Sequence, residues 1–124
     1  MNVYDKAIAV IEARGWIRNT YRSDDGVCAT YALMVGVAPE FEEGLPTSDA
    51  RMVEYSDSCE FIRKLLLANG VIFTRTVAND MGALTRRPVP YTLVGWNDMV
   101  AKDADEVIHL FKEASEAWDL EHPE

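Results

Sequence analysis

The sequence predicts a mainly α, single-domain helical fold with a minor β-hairpin. The chain has 124 residues, which is the size of one domain. Its composition is 48% hydrophobic and 27% charged, as in folded globular proteins and unlike disordered ones. Apolar residues recur at helical spacing in several segments, and an Asp-Gly pair gives a hairpin signal. We therefore interpret residues 1–124 as a single globular domain.

The N-terminal part predicts a helix followed by a short hairpin. Apolar residues in 3–14 recur at i, i+3, i+4 and i+7, and Asn2 is placed to cap this helix. Gly15 follows as a helix-stop residue. The Asp-Gly pair then predicts a hairpin that joins residues 16–22 to residues 26–28.

Residues 28–37 are apolar on nearly every side, which is typical of a central buried helix. Small residues within this segment permit close packing against a neighbouring helix. A buried strand remains an alternative, because periodicity does not separate the two structures in so short a run. Pro39 ends the segment, and residues 39–47 form a loop rich in Pro, Gly and Glu.

The middle of the chain predicts a second helical region. Residues 48–55 permit a short helix, and residues 58–69 predict a longer one. Asp57 is the expected N-cap of the longer helix, with Glu60 three residues later as in a capping box. The pair Asn69-Gly70 is its stop signal.

The segment 71–95 has the weakest patterns in the sequence. Residues 71–73 are apolar and predict a short strand. Residues 86–90 contain two prolines, which restrict the backbone and predict a loop.

The final helix has the sharpest local pattern. Asp103 is its expected N-cap, and Glu106 lies three residues later. Apolar residues form a continuous stripe over 104–118, which we expect to pack on the domain's own core. Acidic side chains lie off this stripe: Asp105, Glu106, Glu113 and Glu116.

The charge of the chain is unevenly distributed. The net charge is −9, and residues 98–124 hold nine acids against two bases, or −7 of it. This argues against direct binding to a nucleic-acid backbone, which requires clustered Lys and Arg. A solvated helix face with a frayed tail is the simpler interpretation, and a surface that docks on a basic partner is the alternative.

The sequence lacks signals for membranes and secretion. No apolar run reaches the ~18 residues that a membrane span needs, and the first residues lack the apolar region of a signal peptide. We therefore expect a cytoplasmic protein with no membrane partner.

Cys28 is the one candidate nucleophile. It falls at the predicted N-terminus of a buried helix, where the helix dipole favours thiolate. Catalysis also needs a base, and the candidates are His109, inside a helix, and His122, near the chain end. A small buried hydrophobic side chain is therefore the favoured interpretation of Cys28. With Cys59 as the other cysteine and no CxxC pair, neither a metal site nor a cofactor is predicted.

Trp96, Asn97 and Asp98 form the main candidate binding motif. Trp96 would be the apolar wall of a polar pocket, with Asn97 and Asp98 as its hydrogen-bonding groups. Alternatively, Trp96 anchors the segment in the core while the two polar side chains bond nearby backbone at a turn. The latter structural interpretation is favoured.

The ordered pattern of these motifs resembles a family of small uncharacterised proteins of actinobacteria and their phages. The residues that carry the resemblance are Ala7, Glu12, Gly15-Trp16, Tyr21, Gly26-Val27-Cys28, Ala32-Leu33, Trp96-Asn97-Asp98, Glu106-Val107 and Leu110. The chain departs from the family at Tyr31, where members often have Gly, and at 100–102, where they have a Gly-Arg-Thr turn. The resemblance implies no established activity, but it implies a phage or prophage accessory protein, which would act in the host cytoplasm.

Three functional hypotheses follow. The first is a non-enzymatic protein that binds a host or phage protein through the acidic final helix or a groove near Trp96, as an inhibitor or regulator. The second is a small cysteine-dependent hydrolase or transferase that uses Cys28. The third is a homo-oligomer that buries the apolar stripe of 104–118 between chains.

Overall fold

The structure is a computed structural model that describes residues 1–123. Its architecture is mainly α, as predicted, and it has two small antiparallel hairpins where one was predicted. The helices are α1 (Val3–Arg14), α2 (Ala29–Val37), α3 (Asp49–Ala68), α4 (Leu93–Met99) and α5 (Ala104–Glu121), with a 3₁₀ turn at Pro39–Phe41. The strands are β1 (Arg22–Ser23), β2 (Gly26–Val27), β3 (Ile72–Ala78) and β4 (Leu84–Pro90). Within residues 1–123, no helix has the combined length and apolar character needed to cross a membrane.

Helix α1 has the predicted bounds because its caps are local. The Asn2 side chain accepts hydrogen bonds from the backbone N–H groups of Tyr4 at 3.0 Å and Asp5 at 3.1 Å. Asp5 in turn accepts from the Asn2 backbone N–H at 3.3 Å, which completes a capping box. At the other end, Gly15 adopts φ +84° and donates its N–H to Ile11 O at 2.8 Å.

Helix α2 is the buried centre of the fold. Every residue from Tyr31 to Ala38 is buried, which confirms the helical interpretation of this apolar segment over the strand alternative. It packs closely against α1 at Gly36, where an added Cβ would lie 2.9 Å from the carbonyl oxygen of Val3. The absence of a side chain at this position therefore sets the distance between the two helices.

Helix α5 packs against α1 and contributes to the same core. Asp103 caps it by accepting from the Glu106 N–H at 2.9 Å, as predicted. Phe111 and Ala114, in its apolar stripe, are fully buried within the single chain. A homo-oligomer built on this stripe, as the third hypothesis requires, therefore has little exposed apolar surface to bury there.

The two helices predicted at 48–55 and 58–69 are one helix, α3. Ser48 caps it by accepting from the Arg51 N–H at 3.2 Å, so the predicted N-cap at Asp57 is wrong. Asp57 is an exposed residue of the helix interior. The polar residues next to Asp57 do not interrupt the helix. Ser58 donates its hydroxyl to the Glu54 carbonyl, one turn earlier in the same helix, at 2.7 Å.

The loop predicted at 86–90 is also wrong, because these residues belong to strand β4. Strands β3 and β4 pair antiparallel over seven positions, from Ile72 opposite Pro90 to Ala78 opposite Leu84. Each strand of a two-stranded sheet has one edge that is not paired with another strand. Proline is tolerated at that edge, because its missing N–H would not have bonded to a neighbouring strand. The strand predicted at 71–73 is thus the beginning of a longer one.

The first hairpin is shorter than predicted. Its strands pair only Arg22 with Val27 and Ser23 with Gly26. The segment before it bends, and Asn19 adopts a left-handed φ of +68°. The hairpin was predicted to begin at residue 16, and before Arg22 the structure has an isolated bridge from Trp16 to Val27.

Candidate functional site

The Trp96-Asn97-Asp98 motif lies within helix α4 and not at a turn. Thr92 caps this short helix by accepting from the Gly95 N–H at 3.2 Å. Trp96 is 6% exposed and Asn97 is fully buried, whereas Asp98 is half-buried. Consecutive residues of one helix therefore face different surroundings.

Asn97 is the centre of a buried polar network. Its Oδ1 accepts from the Trp16 indole Nε1 at 2.6 Å and from the Ala29 backbone N–H at 2.9 Å. Its Nδ2 donates to the Ile17 carbonyl at 3.3 Å and to Asp98 Oδ1 at 2.9 Å. This uses both lone pairs and both hydrogens of the amide. Asn97 thus ties the segment after α1 and the beginning of α2 to helix α4.

Asp98 extends the same network. Its Oδ1 also accepts from the backbone N–H of Asn19 at 2.9 Å, which holds the left-handed bend before the first hairpin. Both polar side chains of the motif therefore bond backbone that is distant in sequence. A binding role for Asn97 and Asp98 stays a prediction, and the hydrogen-bonding capacity of Asn97 is used inside the protein.

Cys28 is the N-cap of α2, and its surroundings favour the neutral thiol. The residue is 2% exposed, and its Sγ accepts from the Tyr31 N–H at 3.3 Å. Burial raises the pKa of the thiol, and the hydrogen bonds from Tyr31 and Thr30 only partly offset that effect. The predicted bases lie elsewhere: His109 is exposed on α5, and the His122 ring stacks on Trp118 with centroids 3.8 Å apart. Burial therefore disfavours the thiolate that a nucleophilic cysteine needs.

The acidic residues of α5 border a groove of about 580 Å³. We call it the acidic groove. Its deepest side chains are apolar and mostly buried, and they come from four parts of the chain: Leu66, Val71, Trp96 and Leu110. Its more exposed side chains are mainly acidic: Asp103, Asp105, Glu106 and Glu113, with Asn69 and His109 beside them. The groove therefore combines an apolar floor with an acidic rim.

No cation neutralises this rim among residues 1–123, where no Lys or Arg nitrogen lies within 4.0 Å of the rim carboxylates. Their hydrogen bonds come from neutral amides. Glu106 accepts from the Lys102 backbone N–H at 2.9 Å, and Glu113 accepts from the Asn69 side chain at 3.2 Å. Asp105 and Glu106 also lie in the first turn of α5, where negative charge stabilises the helix. The rim thus presents negative charge that the protein itself does not pair.

The groove unites part of the predicted binding set. It contains Trp96, Asp105, Glu106 and Glu113, whereas Asn97 and Asp98 face the polar network and Glu116 is exposed outside it. Sequence analysis did not assign the remaining lining residues to a site: Leu66, Asn69, Val71, Asp103, His109 and Leu110. One signal in the sequence could have linked some of these residues. A spacing of three and four residues places Asp103, Glu106, Leu110 and Glu113 on one face of α5.

A second, larger cavity of about 670 Å³ lies between α2, α3 and the loop that follows the 3₁₀ turn. Its walls are aromatic and apolar, and they include Tyr31, Phe41 and Tyr55. At its edge, Arg22 donates to the Tyr31 hydroxyl at 3.2 Å. No sequence motif marks this cavity, because its lining residues come from separate segments. Residues 1–123 hold no cluster of three or more His, Cys, Asp or Glu side chains arranged as ligands for a metal ion.

Comparison with known proteins places the chain in a family without identifying an activity. No curated protein and no solved structure matches it. A family model does match, and it covers residues 1–117, which is nearly the whole chain. The match agrees with the resemblance to an uncharacterised family. The chain therefore belongs to DUF6197, a family of unknown function.

Proposed function

We propose that this protein is a non-enzymatic binding protein whose acidic groove holds a basic, amphipathic segment of a partner protein. The observation that carries the proposal is the combination of an apolar floor and an unpaired acidic rim in one groove. An apolar floor provides the buried contacts that give most of the affinity at a protein interface. The rim selects for positive charge and rejects acidic segments.

The groove residues support a helix or strand as the bound element. Apolar side chains from α3, α4 and α5 form its floor, so an amphipathic segment can lay one face into it while its Lys or Arg side chains reach the rim. The rim carboxylates also attract such a segment from a distance, which raises the association rate at low ionic strength. Binding is therefore expected to weaken as salt is added, since exposed charges are screened beyond ~8–10 Å at physiological ionic strength.

The cysteine-dependent alternative has less support. A hydrolase or transferase that used Cys28 would need thiolate at neutral pH, whereas burial raises the pKa of this thiol. Both candidate histidines are engaged or exposed elsewhere on the fold.

The biological setting of the proposal comes from the resemblance to actinobacterial and actinophage proteins. We assign the protein as a phage or prophage accessory protein that acts in the host cytoplasm. The acidic groove would let it inhibit or regulate a host or phage protein by covering a basic surface of that protein. Direct binding to a nucleic-acid backbone or a membrane is not part of the proposal, because the chain has a net charge of −9.

The test compares two double variants of α5 as baits in a lysate of the source organism. The groove variant, Asp105→Asn with Glu113→Gln, removes two rim charges with little change in shape. The control variant, Glu116→Gln with Glu121→Gln, removes two exposed charges of the same helix outside the groove. We expect the wild type and the control to retain the same partner and the groove variant to lose it.

Affinity measurements with the purified partner then check the mechanism. Calorimetry at about 50 and 300 mM NaCl should show a weaker Kd at the higher salt for the wild type and a smaller salt effect for the groove variant. A partner that binds the groove variant as tightly as the wild type would contradict the proposal.

A further inference from the structure

Strands β3 and β4 and the turn between them form a ribbon, residues 72–90, that is mostly exposed. Apart from half-buried Val77 and the two residues at the end of β4, its side chains face solvent. Seven residues at ~3.3 Å each give the strands a length of roughly 20 Å. Isolated two-stranded hairpins are marginally stable in water, and here the body of the protein supports the ribbon where β4 contacts α3.

The ribbon is the basic part of an acidic protein. It holds three arginines, Arg75, Arg86 and Arg87, against one acid, Asp80, for a net charge of +2. With a total of −9, the rest of the chain therefore carries −11. Within residues 1–123, none of these guanidinium groups lies within 4.0 Å of a carboxylate. Other arginines of the chain have such partners, as in Arg51 with Glu54.

Two of these arginines also face one another across the strands. Arg75 is the register partner of Arg87, so both side chains project from the same face of the ribbon. Like charges directly opposite one another destabilise a hairpin, and an acidic surface laid on that face would remove the repulsion. The face that carries Arg75 and Arg87 also holds apolar side chains, namely Phe73, which is 38% exposed, and half-buried Val77 and Val89. The more exposed Leu84 and Ile72 lie on the opposite face with Arg86. Each face of the ribbon therefore combines arginine with apolar side chains, as a segment that fits the acidic groove must.

Both ends of the ribbon begin beside the acidic groove. Val71, immediately before β3, lines the groove, and the chain after β4 enters α4, whose Trp96 forms part of the groove floor. The Phe73 and Tyr91 rings fix this root of the ribbon with centroids 4.9 Å apart. The ribbon arginines do not line the groove of their own chain. An arm that leaves the body at this place is well positioned to cross onto a neighbouring copy.

We infer that the acidic groove receives the β3–β4 ribbon of a second copy of this chain, and that two copies exchange ribbons about a two-fold axis. This inference rests on the proposed function, because it names the occupant of the same groove. A two-fold exchange closes the assembly, so every ribbon and every groove is used once in a dimer. The dimer keeps its own grooves occupied, and another partner protein would bind the monomer.

The test is the mass in solution, measured by sedimentation velocity between about 5 and 200 µM. We expect a dimer at about 50 mM NaCl that dissociates toward monomer at about 500 mM. The ribbon variant, Arg75→Glu with Arg87→Glu, should be monomeric. A groove-reversal variant, Asp105→Lys with Glu113→Lys, should be monomeric too. Lys6→Glu with Lys64→Glu is the control, because it makes the same charge change at exposed sites outside the ribbon. Circular dichroism checks that each variant retains its helices.

An equimolar mixture of the two monomeric variants gives the sharpest result. The reversed ribbon of one variant complements the reversed groove of the other, and the remaining native ribbon and groove also match. The mixture should therefore restore a dimer that neither variant forms alone. A mixture that stays monomeric, or a dimer that persists in the ribbon variant, would overturn the inference.

A wild type that is monomeric over the whole range would also overturn it, and the lysate experiment would still decide the proposed function independently. A monomer that binds duplex DNA through the ribbon, with binding lost in the Arg75→Glu, Arg87→Glu variant, would reassign the ribbon to nucleic acid.

Discussion

Changing Asn97 to aspartate tests the buried network at the lowest steric cost. The substitution keeps the size of the side chain and replaces the Nδ2 donor with an oxygen. That oxygen would face Asp98 Oδ1, now 2.9 Å from Nδ2, and the Ile17 carbonyl, now 3.3 Å away, so two hydrogen bonds become repulsive contacts. At an effective dielectric constant of about 20, two unit charges at this distance repel by roughly 6 kcal/mol.

Protonation limits this penalty and gives it a pH dependence. The introduced carboxyl can take a proton instead, at about 1.4 kcal/mol for each unit between its ordinary pKa of about 3.9 and the pH. At pH 7 protonation costs about 4 kcal/mol, which is less than the repulsion between the two charges. The carboxyl therefore takes a proton, and we expect the free energy of unfolding to fall by about 4 kcal/mol. The pKa of the introduced carboxyl is raised in the folded state. The variant therefore keeps its stability below a pH of about 3.9 and loses it as the pH rises toward the folded-state pKa. Near pH 4 we expect a loss of only about 1 kcal/mol.

Urea unfolding followed by tryptophan fluorescence at pH 4, 5.5 and 7 measures this loss against the wild type at each pH. Asn69→Asp is the matched control, because the Asn69 amide also donates to a carboxylate, Glu113, but both groups are partly or fully exposed. For Asn69→Asp we expect the free energy of unfolding to fall by less than about 1 kcal/mol at any pH. An Asn97→Asp loss below about 1 kcal/mol at pH 7, or an equal loss at pH 4 and pH 7, would refute the reasoning.

Four further predictions concern packing, capping and titration. Gly36→Ala should lower the free energy of unfolding by about 1–3 kcal/mol in urea titrations, since its Cβ would lie 2.9 Å from a backbone oxygen of α1; an unchanged stability would contradict the close helix contact. Ser48→Ala should cost about 1 kcal/mol and Asp57→Ala under about 0.5 kcal/mol, because only Ser48 caps α3; the reverse order would restore the two-helix interpretation. Cys28 should resist iodoacetamide at neutral pH until the protein unfolds, as mass spectrometry of the labelled peptide can show, because burial raises its pKa. Burial also raises the pKa of Tyr55, so stability should fall as pH rises above the ordinary value of 10.0, and Tyr55→Phe should make that fall smaller in urea titrations at about pH 9 and 11.

The parts of the fold that sequence predicted correctly depend on short-range interactions. Asn2 and Asp103 bond backbone groups two or three residues away, and the apolar spacing of α1 and α5 is likewise local. Asn69 and Gly70 end α3 for the same reason. Such signals lie within one helical turn, so a single sequence contains them in full.

The errors come from residues whose side chains have two local uses. Ser58 and its neighbours could either cap a new helix or lie within a continuous one. In the structure the Ser58 hydroxyl bonds to the Glu54 carbonyl, and α3 continues through this segment. Pro88 and Pro90 restrict the backbone in a loop and at a free strand edge alike. Pairing with the strand Ile72–Ala78 decides between them, and that pairing is non-local.

The candidate site was predicted in part of its acidic rim and at Trp96, but not in the rest of its apolar floor. The rim residues lie on α5, where helical spacing reveals them, whereas the floor also needs Leu66 and Val71 from a different part of the chain. Their approach depends on how α3 and α4 pack against α5. No pattern within one segment contains that information, which is also why the aromatic cavity had no motif.

The position of the Trp96-Asn97-Asp98 motif explains why it looks functional in the sequence while its polar atoms face inward. Successive residues of a helix point about 100° apart. Within α4, Trp96 therefore reaches the acidic groove, whereas Asn97 faces Trp16 and the beginning of α2. Asp98 holds the bend at Asn19. The network fixes the orientation of α4 against the N-terminal third of the chain, and that orientation places the indole in the groove floor. The motif thus supports the floor of the acidic groove, and each of its three adjacent residues meets a separate packing requirement.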